Sequence, residues 1–175
     1  MSTKSSYSDL LRAIQSNDAS QVSAFFAQKR PVQKESEYPG TILHYACQLG
    51  CKEVIKELLK DPLMVGSIND FDDVSYTPLM HAVRHGDVSL VDLLVAAGAD
   101  VNIRDESHIG NTVLRESIET AHPDMVKKLL DLGANPNIEG WMQLTAIDKA
   151  IERYEKNPST DSGIILKLLE SARKS

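Results

Sequence analysis

Apolar residues return along this chain at a period near 33. Segments that begin at Ser8, Thr41, Thr77, Thr112 and Thr145 are separated by 33, 36, 35 and 33 residues. Two positions after each start stands Leu10, Leu43, Leu79, Leu114 or Ile147, and five positions after stands Ala13, Ala46, Ala82, Ser117 or Ala150. An apolar pair closes each unit: Phe25-Phe26, Leu58-Leu59, Leu94-Val95, Leu129-Leu130 and, after about six extra residues around 157–162, Leu168-Leu169. Self-similarity at this period marks stacked structural repeats, in which each unit covers its neighbour's apolar face.

Within a unit the spacing predicts a helix, a short turn, a second helix and an extended excursion. In the third unit Thr77 suits an N-cap and Pro78 a first helical position, where a missing N–H costs nothing. Leu79 and Ala82 share a helical face, and Gly86-Asp87 ends that helix and caps the next. Leu90, Val91, Leu94 and Val95 form the second helix's buried stripe, which Gly98 stops in a left-handed conformation, as Gly133 does one repeat later.

The segments Thr77-Pro78-Leu79-Met80-His81-Ala82, Gly98-Ala99-Asp100-Val101-Asn102, Gly133-Ala134-Asn135-Pro136-Asn137 and Thr41-Ile42-Leu43-His44-Tyr45-Ala46 resemble the ankyrin repeat. The resemblance runs over about residues 8–170. It implies an all-α ankyrin solenoid with β-hairpin-like fingers, three central repeats and two degenerate caps. The family's framework histidine is kept at His44 and replaced by Met80, Arg115 and Asp148. Polar residues of the first unit (Ser16, Asn17, Asp18, Ser20, Gln21, Ser23) and of the last (Glu152, Arg153, Glu155, Lys156) suit the uncovered ends of a stack. A tail over 1–7 and one domain over 8–172 are expected.

Composition narrows the function. The chain is 42% hydrophobic and 25% charged, with a net charge of -6 and no basic stripe, which argues against a nucleic-acid partner. Cys47 and Cys51 are spaced for one helix face and read as reduced thiols. No apolar run of signal-peptide or membrane-spanning kind is visible, so a cytoplasmic location is expected.

The fingers are expected near 28–40, 66–76, 100–111 and 137–144. Exposed positions on the concave face fall seven and eight residues after each start: Gln48 and Leu49, Arg84 and His85, Glu119 and Thr120, Glu152 and Arg153. The second finger reads Asn69-Asp70-Phe71-Asp72-Asp73, and no lysine or arginine occurs from Asp61 to Val83. These carboxylates are either turn formers on a solvated loop or a landing site for a basic partner; the spacing lacks the Gly and distal Glu of a calcium loop. Tyr38, Phe71 and Trp141 place one ring in each of three fingers, with Tyr76 beside the second, either as binding anchors or folded back on the neighbouring helix. The candidate partner-binding set is therefore Tyr38, Gln48, Leu49, Asp70, Phe71, Asp72, Asp73, Tyr76, Arg84, His85, His108, Glu119 and Trp141.

Two rival chemistries lack their motifs. His81 and His85, or His44 with Cys47 and Cys51, could bring ligands to one face, yet no zinc spacing is present. Neither a Gly-x-Ser-x-Gly elbow, a phosphate loop nor a His-Glu-x-x-His motif occurs. The expectation is a non-catalytic binder of another protein, without cofactor, metal, nucleic acid or membrane. An inhibitor or immunity-type protein that neutralises a basic partner is the alternative reading. A monomer is expected, with self-association through an incompletely capped end as the other outcome.

Overall fold

In a computed structural model of the chain, the described residues are 7–28, 41–106, 110–120 and 122–173. Their helices follow the predicted alternation. The first unit holds α1 (Tyr7–Gln15) and α2 (Ala19–Ala27), the second α3 (Ile42–Gln48) and α4 (Lys52–Leu58), followed by a short α5 (Pro62–Gly66). The third holds α6 (Pro78–His85) and α7 (Val88–Ala96), the fourth α8 (Val113–Thr120) and α9 (Pro123–Asp131), and the fifth α10 (Ala146–Lys156) and α11 (Thr160–Arg173). First helices pack on first helices along the stack, α3 on α6, α6 on α8 and α8 on α10, and each also packs on its own second helix.

The core is a set of columns running through the units. Leu10, Leu43, Leu79, Leu114 and Ile147 are all buried, as are the small residues Ala13, Ala46, Ala82, Ser117 and Ala150 that let successive helix pairs approach. Ser117 stands where the others have alanine, and its hydroxyl donates to the Leu114 carbonyl at 2.7 Å, so no donor is orphaned. Leu90, Val91 and Leu94 give α7 its buried face.

Local chemistry sets the helix ends. The Thr77 hydroxyl accepts from the Met80 N–H at 3.3 Å and the Asp87 carboxylate from the Ser89 N–H at 2.8 Å. Gly98 follows α7 at φ +104, a conformation that a side chain resists. Beyond it, Asn69 bridges to the next unit: its amide donates to the Gly98 carbonyl at 3.1 Å and its oxygen accepts from the Asp100 N–H at 2.8 Å. Asn102 repeats both bonds one unit on, to the Gly133 carbonyl and the Asn135 N–H. This side-chain ladder fixes the bases of the fingers against one another.

The structure corrects two expectations and places the insertions. No strand occurs among the described residues; the second and fourth fingers are closed instead by turns whose widest backbone bonds are Asp72 N–H to Tyr76 carbonyl and Gly140 N–H to Leu144 carbonyl, both at 2.9 Å. The three extra residues of the second unit do not lengthen its finger. Asn69 lies eight residues before Thr77 just as Asn137 lies eight before Thr145, and the insertion builds α5 ahead of Asn69, with Asp61 as its N-cap. The ten residues from Asn102 to Thr112 do place the third unit's extra pair in its finger. Cys47 and Cys51 do not share a helix: α3 ends at Gln48, Gly50 turns the chain, and Cys51 caps α4. Finally, the additions near 157–162 lengthen helices, α10 to 11 residues and α11 to 14, because Tyr154 stands where Gly50 and Gly86 end α3 and α6.

Candidate interaction groove

The framework histidine is built into its helix start. His44 Nδ1 accepts from the Thr41 N–H at 3.1 Å, and Nε2 donates to the Asp70 carbonyl at 2.9 Å, tying the second finger to α3. Asp148 does half of that work in the fifth unit, accepting from the Thr145 N–H at 2.8 Å while its own N–H donates to the Thr145 hydroxyl at 3.3 Å. In the third and fourth units Met80 and Arg115 keep only the forward bond to the threonine hydroxyl, and the Arg115 guanidinium donates to the Asn111 side chain instead.

Burial lowers the His44 pKa from 6.5, partly offset by the bond to the Asp70 carbonyl and the nearby Asp72 carboxylate. Its Nδ1 must stay unprotonated to accept from Thr41. A histidine with a lowered folded pKa stabilises the fold fully above the unfolded value of 6.5, and that stability is lost as pH falls from there toward the folded pKa. The denaturant midpoint should therefore drop as pH falls below 6.5, and His44→Gln should show a flatter profile; equal slopes in both proteins would contradict this assignment.

Above this framework lies a groove of about 720 Å³, lined by Gln48, Val74, Ser75, Tyr76, His81, Arg84, His85 and Asn111. Two buried carboxylates organise its wall. Asp72 Oδ1 accepts from the Val74 and Tyr76 N–H groups at 3.0 and 2.9 Å, and Oδ2 pairs with His81 Nε2 at 2.7 Å. Burial alone would raise the Asp72 pKa; the bonds from His81 and from the Tyr76 and Val74 amides outweigh it and hold the group below its ordinary 3.8. Glu116, buried on α8, accepts from the Tyr76 hydroxyl at 3.1 Å and from Arg84 Nη1 at 2.6 Å. The same Arg84 nitrogen donates to the Tyr76 hydroxyl at 3.0 Å, and the guanidinium sits 5.3 Å from the Tyr76 ring centroid. Tyr76 also meets the His81 ring edge-on at 5.5 Å, so the finger and two first helices are locked together.

The predicted set divides on this geometry. Gln48, Tyr76, Arg84 and His85 come together in the groove. His85 rests on the turn of the preceding unit, where Gly50, at φ +69, has no Cβ to strike its ring. Leu49, 40% exposed, caps the end of α3 nearby. Asp70 and Asp73 are exposed on the second finger. Asp72 is corrected: its carboxylate is buried and fully engaged within the chain, because it shapes the 72–76 turn. The Phe71 ring packs half-buried on the core. Glu119 lies apart, in a depression of about 280 Å³ shared with Lys149, Glu152, Arg153 and Lys156. Trp141 opens the 3-10 turn Trp141–Gln143 of the fourth finger. Tyr38 and His108 lie outside the described residues.

Sequence reasoning missed Glu116 and the rule behind it. The residue seven positions into one unit bonds to the residue four positions into the next: Gln15 donates to the Tyr45 hydroxyl at 2.6 Å, Arg84 to Glu116 at 2.6 Å, and Lys149 pairs with Glu119 at 2.8 Å. Opposite or complementary polar residues about one period apart carried that signal. Glu119 in turn holds the Lys149 ammonium more firmly protonated.

Both thiols are inward. Cys47 is buried, which pushes its thiol pKa up, and Cys51 Sγ donates to the Ile14 carbonyl at 3.1 Å. Among the described residues no three His, Cys, Asp or Glu side chains gather as metal ligands, and no helix is long and apolar enough to cross a membrane.

Stacked helix pairs with short fingers and a groove on the first-helix side define a helical repeat solenoid. The chain belongs to the ankyrin repeat family: a model of three ankyrin repeats matches residues 10–105 and a single-repeat model matches residues 109–141. It is 38% identical over 95 residues to the ADP-ribosylation factor GTPase-activating protein AGD4 of Arabidopsis thaliana, covering 54% of this chain and 12% of that protein. It is 34% identical over 120 residues to the rat ankyrin repeat and SAM domain-containing protein 6, covering 68% of this chain and 13% of the relative. An ankyrin repeat-containing protein of Treponema pallidum is 31% identical over 105 residues, 60% of this chain and 34% of its own length. The chain thus spans a minor part of each of these relatives. Ankyrin repeats are protein-interaction modules, generally non-catalytic.

Proposed function

We propose that the chain binds a partner protein through the groove bordered by Gln48, Tyr76, Arg84 and His85, with the exposed tip of the second finger, Asp70 and Asp73, as its rim. The observation that carries this reading is the groove itself. A repeated framework holds one locally unique set of side chains around a depression of about 720 Å³, spanning the second and third units. Val74, 55% exposed on its lip, offers apolar area beside polar groups, the mixture typical of an interface centre and its rim.

A second reading, neutralisation of a basic partner, draws on the finger edge. Asp70, Asp73, Asp100, Glu106 and Glu139 are exposed there, and among the described residues of that edge they surround Arg104. That arrangement fits the net charge of -6 and would speed encounter with a positive surface.

Val74→Glu tests the groove without touching the framework, since only the Val74 amide takes part in the turn. Partner capture should fall at least tenfold while the denaturant midpoint holds; capture equal to wild type would exclude this groove. For the second reading, Asp70→Asn with Asp73→Asn should slow association at low salt and lose that effect at high salt.

A further inference from the structure

The sixth residue after each unit's start packs under the following unit: Ile14, Cys47, Val83 and Ile118 have no exposed surface. Ile151 holds that place in the fifth unit and is 39% exposed. Tyr154 on α10 and Ile164 on α11 are each 42% exposed, and a Cβ on Gly163 would lie 3.6 Å from the Tyr154 ring, so α10 and α11 approach closely beside these two side chains. On α10 Lys149 pairs with Glu119 and Glu152, and Lys156 pairs with Glu152. Asp161 and Lys167 stand exposed three residues before and three after Ile164, and among the described residues neither pairs with another charge.

This placement is self-complementary. A two-fold axis perpendicular to α11 and lying outside it at the level of Ile164 sets two copies of the helix antiparallel, brings the two Ile164 side chains together, and carries Asp161 of each copy to the end where the other has Lys167. We propose that the α10–α11 end face binds a second copy of this chain, α11 against α11, with Ile151 and Tyr154 flanking the contact. The patch is small, so the dimer is weak and reversible. The proposal does not depend on what the groove binds.

Sedimentation equilibrium across a concentration series tests it. The mass average should climb from 19.3 kDa toward twice that value for wild type and stay at the monomer value for Ile164→Glu, with unchanged thermal melts. Asp161→Lys alone should weaken association at least tenfold, and Asp161→Lys combined with Lys167→Asp should restore it, a rescue that general surface stickiness would not give. A monomer mass at every concentration, or association that ignores both the Ile164 change and the charge exchange, would overturn the proposal.

Discussion

Leu94→Ala should lower stability by about 2–5 kcal/mol, read as a drop in the denaturant midpoint at little-changed slope. Leu94 is fully buried on α7, which packs between its own first helix α6 and the neighbouring α9. Removing the isobutyl group loses its transfer free energy and leaves a cavity. The surrounding helices cannot collapse into that space, because the alanine column and the Asn69 and Asn102 bridges fix their spacing. Leu63 supplies the control: it is 76% exposed on α5, and Leu63→Ala should shift stability by no more than about 0.5 kcal/mol. Equal losses in the two variants would mean that the solenoid register is misassigned.

Asp72→Ala should cost about 3 kcal/mol, since it strips a charged acceptor from three buried or half-buried donors at once. The Val74 and Tyr76 amides and His81 Nε2 would all lose their partner, and the 72–76 turn, with Ser75 at φ +60, would lose the group that holds it. Its neighbours Asp70 and Asp73 are exposed, and their change to Asn should leave stability within about 0.5 kcal/mol. The pH dependence follows from the sign of the shift. The folded pKa of Asp72 lies below 3.8, so its contribution is complete above the unfolded value and is lost as pH falls through the lower folded one. Acid titration of the melt should thus separate wild type from Asp72→Ala above pH ~4 and bring them together below the folded pKa. An Asp72→Ala protein as stable as wild type would return Asp72 to the surface-carboxylate reading.

The contrast among these three aspartates shows what the sequence carried and what it did not. Period, caps and stops were legible because each depends on a few adjacent residues: Thr77-Pro78 starts a helix, Gly98 ends one, and Ala46 or Ala82 admits a neighbour. Asp70, Asp72 and Asp73 are chemically alike in one short tip, and only the position of His81, nine residues on and across a turn, singles out the middle one. The Arg84–Glu116 pair escaped for a related reason, since its members lie a full repeat apart and interact only through the stacking register. Cys51 was misplaced because the Cys-x-x-x-Cys spacing fits a helix that Gly50 interrupts. The place of the second unit's insertion was not legible, because length alone does not tell a loop from an added helical turn.

The groove reading gives the fingers and first helices different duties: Asp72, Tyr76 and Glu116 hold shape, while Val74, Gln48 and His85 meet the partner. Hydrogen exchange of the chain alone and in its partner complex tests that division most directly. The account predicts new protection at the amides of Gln48 to Gly50, Val74 to Tyr76 and Arg84 to Gly86. Protection confined to the second helices α4, α7 and α9 would contradict it, and would place the binding surface on the opposite side of the solenoid.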